Sequence, residues 1–447
     1  MFIRLTDNPE TEFNRWRSDR SAASSKLALR YRFAQYYLDQ APGIELLALF
    51  QVDGDGIFFT VGEANEALCR ELSACDIDLR QFCSVNGWPL LRLDDALKLQ
   101  PVAIAKPWGQ EIWYTGIEQR GLSRVTDGES SVPLPWVLSA LPQHLAAGHE
   151  RRINLLKILD PLPEEVFGDL YFELHEEKRE VYVVTHVDEH AWPGGTGSIR
   201  FGFDQQLRAT YSSDEAFKSD YLAAVRAYEQ ARREIDLQVD EFRLAEGVEE
   251  NAPVPAKQLK QWLSRLPVAQ RAREESLRQQ MNRFTALLPL HIGDVVKVPL
   301  RTPHALQHGV RTVEFQTPVY ERRILAFAQK VLTQGHWDTE QAVEMMSLDA
   351  PQLPELTVLL DNSDCRLEEV VNFDDFRVER LTLAADATYT LPDSSSYVLV
   401  MSVDGGVSIG GQVLAAEEAA LVPAQRSLTD LENRSRTSAT LLMAWPT

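Results

Sequence analysis

The segment Gly168-Asp-Leu-Tyr-Phe-Glu173-Leu-His175-Glu-Glu-Lys178-Arg-Glu180 constrains this chain more than any other. Leu170, Phe172 and Leu174 alternate with Tyr171, Glu173 and His175, which is the period of a half-buried strand. A polar connection follows at 176–179, and then Val181, Tyr182, Val183 and Val184, a β-branched and aromatic run. Read as a hairpin, the pair sets His175 opposite Glu180 and Glu173 opposite Tyr182. Opposed residues share a face with Cβ atoms roughly 5 Å apart. Glu173, His175 and Glu180 therefore present one side, at a separation that a single divalent ion could bridge with bonds of about 2.0–2.2 Å. A fourth ligand must come from elsewhere. The candidate is His304, in Gly293-Asp-Val-Val-Lys-Val-Pro299-Leu-Arg301-Thr-Pro-His304, where a strand runs into a Pro-bounded turn.

In order, Gly-x5-Glu-x-His with a Glu five residues on, and then Gly-x5-Pro-x4-His, resemble the two metal motifs of the cupin superfamily. Glu173 stands where the first histidine is usual. The bland alternative is four ordinary polar residues at strand ends. Either motif alone would leave that reading open, but the ordered pair weighs against it.

A chain of 447 residues is long enough for two or three domains. Its net charge of -21, with no basic stripe, argues against nucleic acid or an anionic membrane as partner. Cys69, Cys75, Cys83 and Cys365 match neither a disulfide framework nor a zinc spacing, which points to a reducing compartment. The first residues lack a signal-peptide core and no run reaches 18 apolar residues, so a cytoplasmic location is expected.

Residues 1–100 read as an extension of unknown role. They carry a hairpin turning at Asp53-Gly54 and a short helix over Asn65 to Cys75. From 101 onward the chain resembles the type I mannose-6-phosphate isomerases. Lys106-Pro107-Trp108-Gly109 opens the likeness, and Leu155-Leu-Lys157-Ile-Leu-Asp160 matches the family segment that precedes its metal hairpin. Glu173-Leu-His175 then stands for Gln-Val-His, and Lys178-Arg179-Glu180 for Lys-x-Glu. Further on, Arg301-Thr-Pro-His304-Ala stands for Gly-Thr-Pro-His-Ala, Glu314-Phe-Gln316 for Glu-Ile-Gln, and Tyr320-Glu-Arg322-Arg323 lies near the family's Tyr-Arg. Four departures stand out: Glu173 for glutamine, a connection between His175 and Glu180 far shorter than the family's loop, Arg301 for glycine, and Glu321 interrupting the last pair.

Between the metal motifs the period becomes helical. Ser212-Ser-Asp-Glu215 is a capping box, and Phe217, Tyr221, Val225 and Tyr228 form a stripe lasting to Glu246-Gly247. Leu259, Trp262, Leu263 and Leu266 mark a second stretch, which breaks at Pro267 and continues to about Leu287. A further helix is expected over Thr339–Met346, and an all-β tail from Cys365 to Thr447 without histidine. With the resemblance, the expected fold is mainly β with an α-helical insertion: two cupin (jelly-roll) β-barrels plus a helical domain. Its boundaries are a metal-binding cupin at 101–211 and 288–325, an inserted helical domain at 212–287, a helical connector at 326–364, and a metal-free cupin-like domain at 365–447.

The resemblance implies aldose–ketose isomerisation, most simply of mannose 6-phosphate, with a sugar or sugar phosphate as partner. One divalent metal, Zn2+ by ligand type, would be held by Glu173, His175, Glu180 and His304. Glu314, on a strand shortly after His304, is the candidate general base. Lys178 could balance an enediolate, and Arg322 or Arg323 could do the same or hold a phosphate. Their bland readings are a solvated turn lysine and surface ion pairs. His186 and His190 read as surface residues. The alternative function is a non-catalytic, carbohydrate-binding cupin with a vestigial metal site.

Overall fold

The computed structural model describes residues 2–19, 25–54, 56–74, 78–426 and 429–447, so Cys75 and the end of the short helix expected there lie outside the described residues. Among them the chain is mainly β, with six sheets, none closed into a barrel, and ten helices. It divides into two compact units. One comprises Met1–Val102, Trp113–Lys157 and Leu356–Thr447, the other Ala103–Ile112 and Ile158–Glu355.

In the first unit, a five-stranded sheet holds the expected hairpin, with Asp53 opposite Gly56. Its core is built from Leu47, Leu49, Leu72 and Phe82. A nine-stranded sheet is assembled mostly from the tail strands, including Phe376–Leu383, Val398–Ser402 and Ala439–Pro446. Strand Leu97–Gln100 joins this sheet by pairing with Glu418–Val422, so the first hundred residues contribute directly to it. A four-stranded sheet shares its core through Val407, Ile409 and Leu431.

The second unit sets most of a six-stranded sheet, and a five-stranded sheet, around one core. The first runs Val295–Val298, Glu180–Val187, Val310–Gln316, Leu155–Pro161, Gly109–Trp113, Val102–Lys106. The second runs Thr285–Leu290, Gly197–Phe203, His304–Leu306, Phe172–Leu174, Arg323–Ala326. Tyr182 and Val184 from the first meet Ile199, Phe201 and Phe203 from the second. The expected hairpin register is not formed. Phe172–Leu174 and Glu180–Val187 lie in different sheets, and Glu173 is the ladder partner of His304, not of Tyr182. Residues 175–179 carry the chain from one sheet to the other. Alternation identifies a strand's inner face but not which neighbour it pairs with.

Helix Asp214–Ala245 starts at Ser213, whose side chain accepts from the Ala216 amide, and buries Phe217, Tyr221, Val225 and Tyr228. Helices Ala256–Ser264 and Val268–Asn282 follow. The second ends at Asn282, short of the expected Leu287, and Thr285–Leu290 becomes a strand. Pro289 removes an amide and pushes Leu288 toward extended backbone, which favours the strand. Helix Thr339–Met345 lies close to its expected span. The segment expected as a helical connector also contains strand Thr357–Asp361.

Candidate metal centre

Two sheets feed the centre. From the five-stranded sheet come Glu173 and its ladder partner His304. From the six-stranded sheet come Glu180 and Tyr182, opposite Gln316 and Glu314 respectively. His175 sits at the start of the crossing connection. Stacked sheets lie about 10 Å apart, so inward side chains from both can converge on one ion.

His175, Glu180 and His304 form a compact cluster whose ligand atoms lie within 4.8 Å of one another. All three are buried, at 1%, 2% and 2% exposure. Glu180 Oε2 is 3.4 Å from His175 Nε2 and 3.3 Å from His304 Nε2. Each imidazole is oriented by a backbone carbonyl: His175 Nδ1 lies 3.0 Å from the Glu321 oxygen and His304 Nδ1 3.1 Å from that of Thr302. A carbonyl only accepts, so Nδ1 carries the proton in each neutral ring and Nε2 turns a lone pair inward. His175 Nε2 has no hydrogen-bond partner. Inward lone pairs beside a carboxylate, sealed from water, suit a cation among them, and the donor set fits a divalent metal.

The charges agree with this. Burial holds the His175 ring below its ordinary 6.5, an effect only partly offset by Glu180. Burial alone would raise Glu180, but its neighbours His175 and Lys178 hold it well below the usual 4.5. Tyr182 donates to Glu180 Oε2 at 2.8 Å, and its oxygen lies 3.0 Å from His304 Nε2. Burial and Glu180 raise that phenol well above 10, so it stays protonated.

The other expected site residues divide. Lys178 is 8% exposed and its Nζ sits 2.7 Å from Glu180 Oε1, which makes it a buried partner of the cluster and not a solvated turn residue. With Oε1 engaged by Lys178, Oε2 is the oxygen Glu180 turns to the histidines. Glu314 is buried on the inner face as the cross-strand partner of Tyr182. Glu173 stands at the rim. Its Oε1 is 3.9 Å from His175 Nε2, and its Oε2 is 3.7 Å from Arg322 Nη1. Arg322 lies over the Tyr171 ring at 4.7 Å; burial opposes its charge, and Glu173, Tyr171, Tyr320 and Glu111 together hold it above its ordinary value. Arg323 turns away and pairs with Glu176 at 3.1 Å. His186 and His190 are exposed. Sequence reasoning assigned no role to Tyr182 or to the Glu321 and Thr302 carbonyls. The signal for Tyr182 was its position two residues after Glu180, hence on the same face.

Two motif glycines hold the centre's supports. A Cβ on Gly168 would lie 1.9 Å from the Leu162 oxygen, and one on Gly109 2.2 Å from the Asp160 oxygen. Arg301, at φ +61, occupies the left-handed region that a glycine would take without strain, and its amide donates to the His175 carbonyl at 2.7 Å.

No family profile matches the chain, and no curated protein sequence is similar to it. Solved structures are similar to it. The mannose 6-phosphate isomerase of Bacillus subtilis superposes with a TM-score of 0.54 at 13% identity, covering 78% of this chain and 99% of that one. The fold is that of a mannose 6-phosphate isomerase. A phosphomannose isomerase from Salmonella typhimurium matches at a TM-score of 0.50 and 14% identity, covering 79% and 99%. A zinc-bound mannose 6-phosphate isomerase matches at 0.50 and 13%, covering 79% and 100%. The likeness is one of fold, and the roles of individual residues rest on the geometry above.

Proposed function

We propose that this protein is a metal-dependent aldose–ketose isomerase acting on mannose 6-phosphate or a related sugar. The observation that carries this reading is the convergence of His175, Glu180 and His304, with inward lone pairs, inside an isomerase fold. His175, Glu180 and His304 would hold the ion, with Glu173 beside them, and Zn2+ is the metal the resemblance favours. When bound, it would supply polarisation of the sugar's carbonyl and hydroxyl oxygens. Glu314 takes a proton from the carbon beside the carbonyl and returns it to the neighbouring carbon. Lys178 anchors Glu180 and places a positive charge where an enediolate would develop. Arg322, backed by Glu173 and Tyr171, holds the sugar's far oxygens or its phosphate. The two sheets around the site read as the first of two cupin-type sandwiches, and the tail sheets as the second.

The test joins metal analysis of the purified protein to a screen of aldoses and aldose phosphates, with deuterium uptake from solvent at the transferred position. Expected are about one ion per chain and exchange that disappears in Glu314→Gln. A metal-free protein that cannot be reconstituted and turns over no sugar overturns the reading. The non-catalytic alternative predicts sugar binding without exchange.

A further inference from the structure

Tyr182 enters the metal centre from strand Glu180–Val187 and is 4% exposed. Its oxygen lies 2.8 Å from Glu180 Oε2 and 3.0 Å from His304 Nε2, so the phenol stands among the atoms that would face the ion. Bonds of about 2.0–2.2 Å to one ion separate neighbouring ligand atoms by about 2.8–3.1 Å at right angles and about 3.3–3.6 Å at tetrahedral angles. Both Tyr182 distances fall in the first range. Glu180 Oε2 to His175 Nε2 at 3.4 Å and to His304 Nε2 at 3.3 Å fall in the second. Glu173, the fourth ligand expected from the sequence, stands further out, with Oε1 3.9 Å from His175 Nε2 and Oε2 turned to Arg322.

The cluster has too few protons for its lone pairs. Nδ1 of each imidazole holds its proton against a backbone carbonyl, which leaves Nε2 of His175 and of His304 as bare lone pairs. Lys178 engages Glu180 Oε1, so Oε2 adds a third. The phenol oxygen is the fourth, and it brings a single hydrogen to the set. Given to Glu180, that hydrogen leaves the phenol oxygen and His304 Nε2 facing each other at 3.0 Å with no proton between them. Given to His304, it leaves the same oxygen facing a carboxylate at 2.8 Å. A second proton, on His304, would settle these contacts but would still leave His175 Nε2 without a hydrogen-bond partner. Buried acceptors opposed in this way are costly unless a cation lies among them.

We propose that Tyr182 is a ligand of the metal, completing with His175, Glu180 and His304 a set of two nitrogens and two anionic oxygens, while Glu173 serves Arg322. This rests on the metal centre of the proposed function and not on the identity of the sugar. As the ion binds, a metal–oxygen bond forms, the phenol O–H bond breaks and its proton leaves to bulk water, with no change of oxidation state. Phenolate and carboxylate together neutralise a divalent ion, and anionic oxygens also suit a harder ion such as Fe3+.

Ferric ion tests this, because a phenolate bound to Fe3+ has a visible charge-transfer band that imidazole and carboxylate ligands lack. The full chain, stripped by chelator and reloaded with Fe3+, should gain that band. Tyr182→Phe should still bind iron by elemental analysis but lack the band, and Glu173→Gln should keep it. With Zn2+, chelator competition should show binding weakened at least about tenfold in Tyr182→Phe and less than about threefold in Glu173→Gln. Tyr182→Phe also deletes the hydrogen bond to Glu180, which by itself could weaken zinc; the band is the readout that a positioning role does not move. Iron bound by the wild type without the band overturns the proposal, whatever the zinc affinities, and so does a band that survives Tyr182→Phe. Binding of neither Fe3+ nor Zn2+ overturns the metal centre and this ligand with it. A band in a protein that turns over no sugar upholds the ligand and sinks the isomerase reading alone.

Discussion

Glu173 has two neighbours with opposite demands: the His175 ring at 3.9 Å and the Arg322 guanidinium at 3.7 Å. Glu173→Gln preserves shape and removes charge. If the pairing with Arg322 is its main task, the variant keeps its metal and loses about tenfold or less in turnover, roughly 1.4 kcal/mol of barrier. Metal loss on gel filtration would instead make Glu173 a required ligand. Arg301 bears strain of a different kind, since a side chain at φ +61 costs about 1–2 kcal/mol. Arg301→Gly relieves that strain but gains unfolded-chain entropy, so it should raise stability by no more than about 1 kcal/mol. Arg301→Val should lower it by more than that, and urea midpoints of the two variants decide. His175 gives a pH dependence. Buried, it stays neutral below 6.5, whereas in the unfolded chain it takes up a proton near 6.5. The unfolded state then binds more protons, so the metal-free protein loses stability as pH falls through that value. The decline should be smaller in His175→Gln, measured by urea denaturation between about pH 8 and 5.

Gly168 governs an element, not a contact. It precedes strand Phe172–Leu174, and an added methyl group would meet the Leu162 oxygen. Gly168→Ala should cost about 1–3 kcal/mol by overpacking. Because the displaced strand carries Glu173 opposite His304, it should also weaken metal affinity, which a metal-chelator competition would read. A thermal midpoint and metal affinity both equal to wild type would show that the loop yields freely. At this scale, part of the structure was legible. Alternation at 170–175 marked a strand, and the stripe Phe217, Tyr221, Val225, Tyr228 marked a helix whose cap is Ser213. Pairing was not legible, because His175 and Glu180 are close whether their strands form a hairpin or face each other across two sheets. The fold brings His175, Glu180 and His304 together, with Glu173 beside them, for a reason the period could not supply. For Lys178 the sequence left a site role and a solvated turn both open, because four charged neighbours surround it; its short tether to Glu180 draws it inside.

At the scale of the whole molecule, the order of motifs along the chain was enough to anticipate the isomerase fold, while the place of the first hundred residues was not. Nothing in Leu97-Lys-Leu-Gln100 names its partner, since strand patterns carry no address. Leu99 pairs with Ala419, roughly 320 residues further on. The first unit is thus drawn from three separated stretches, and the second from two. During synthesis at about 5–20 residues per second, roughly 15–60 s separate the appearance of those two strands. Through that interval Leu97–Gln100 has an open edge on the side that Glu418–Val422 will occupy, the kind of edge that recruits a neighbouring nascent chain. The yield of native protein should therefore depend on ribosome spacing along the message, and a holdase that covers this edge should matter more to the protein than one that speeds its final collapse.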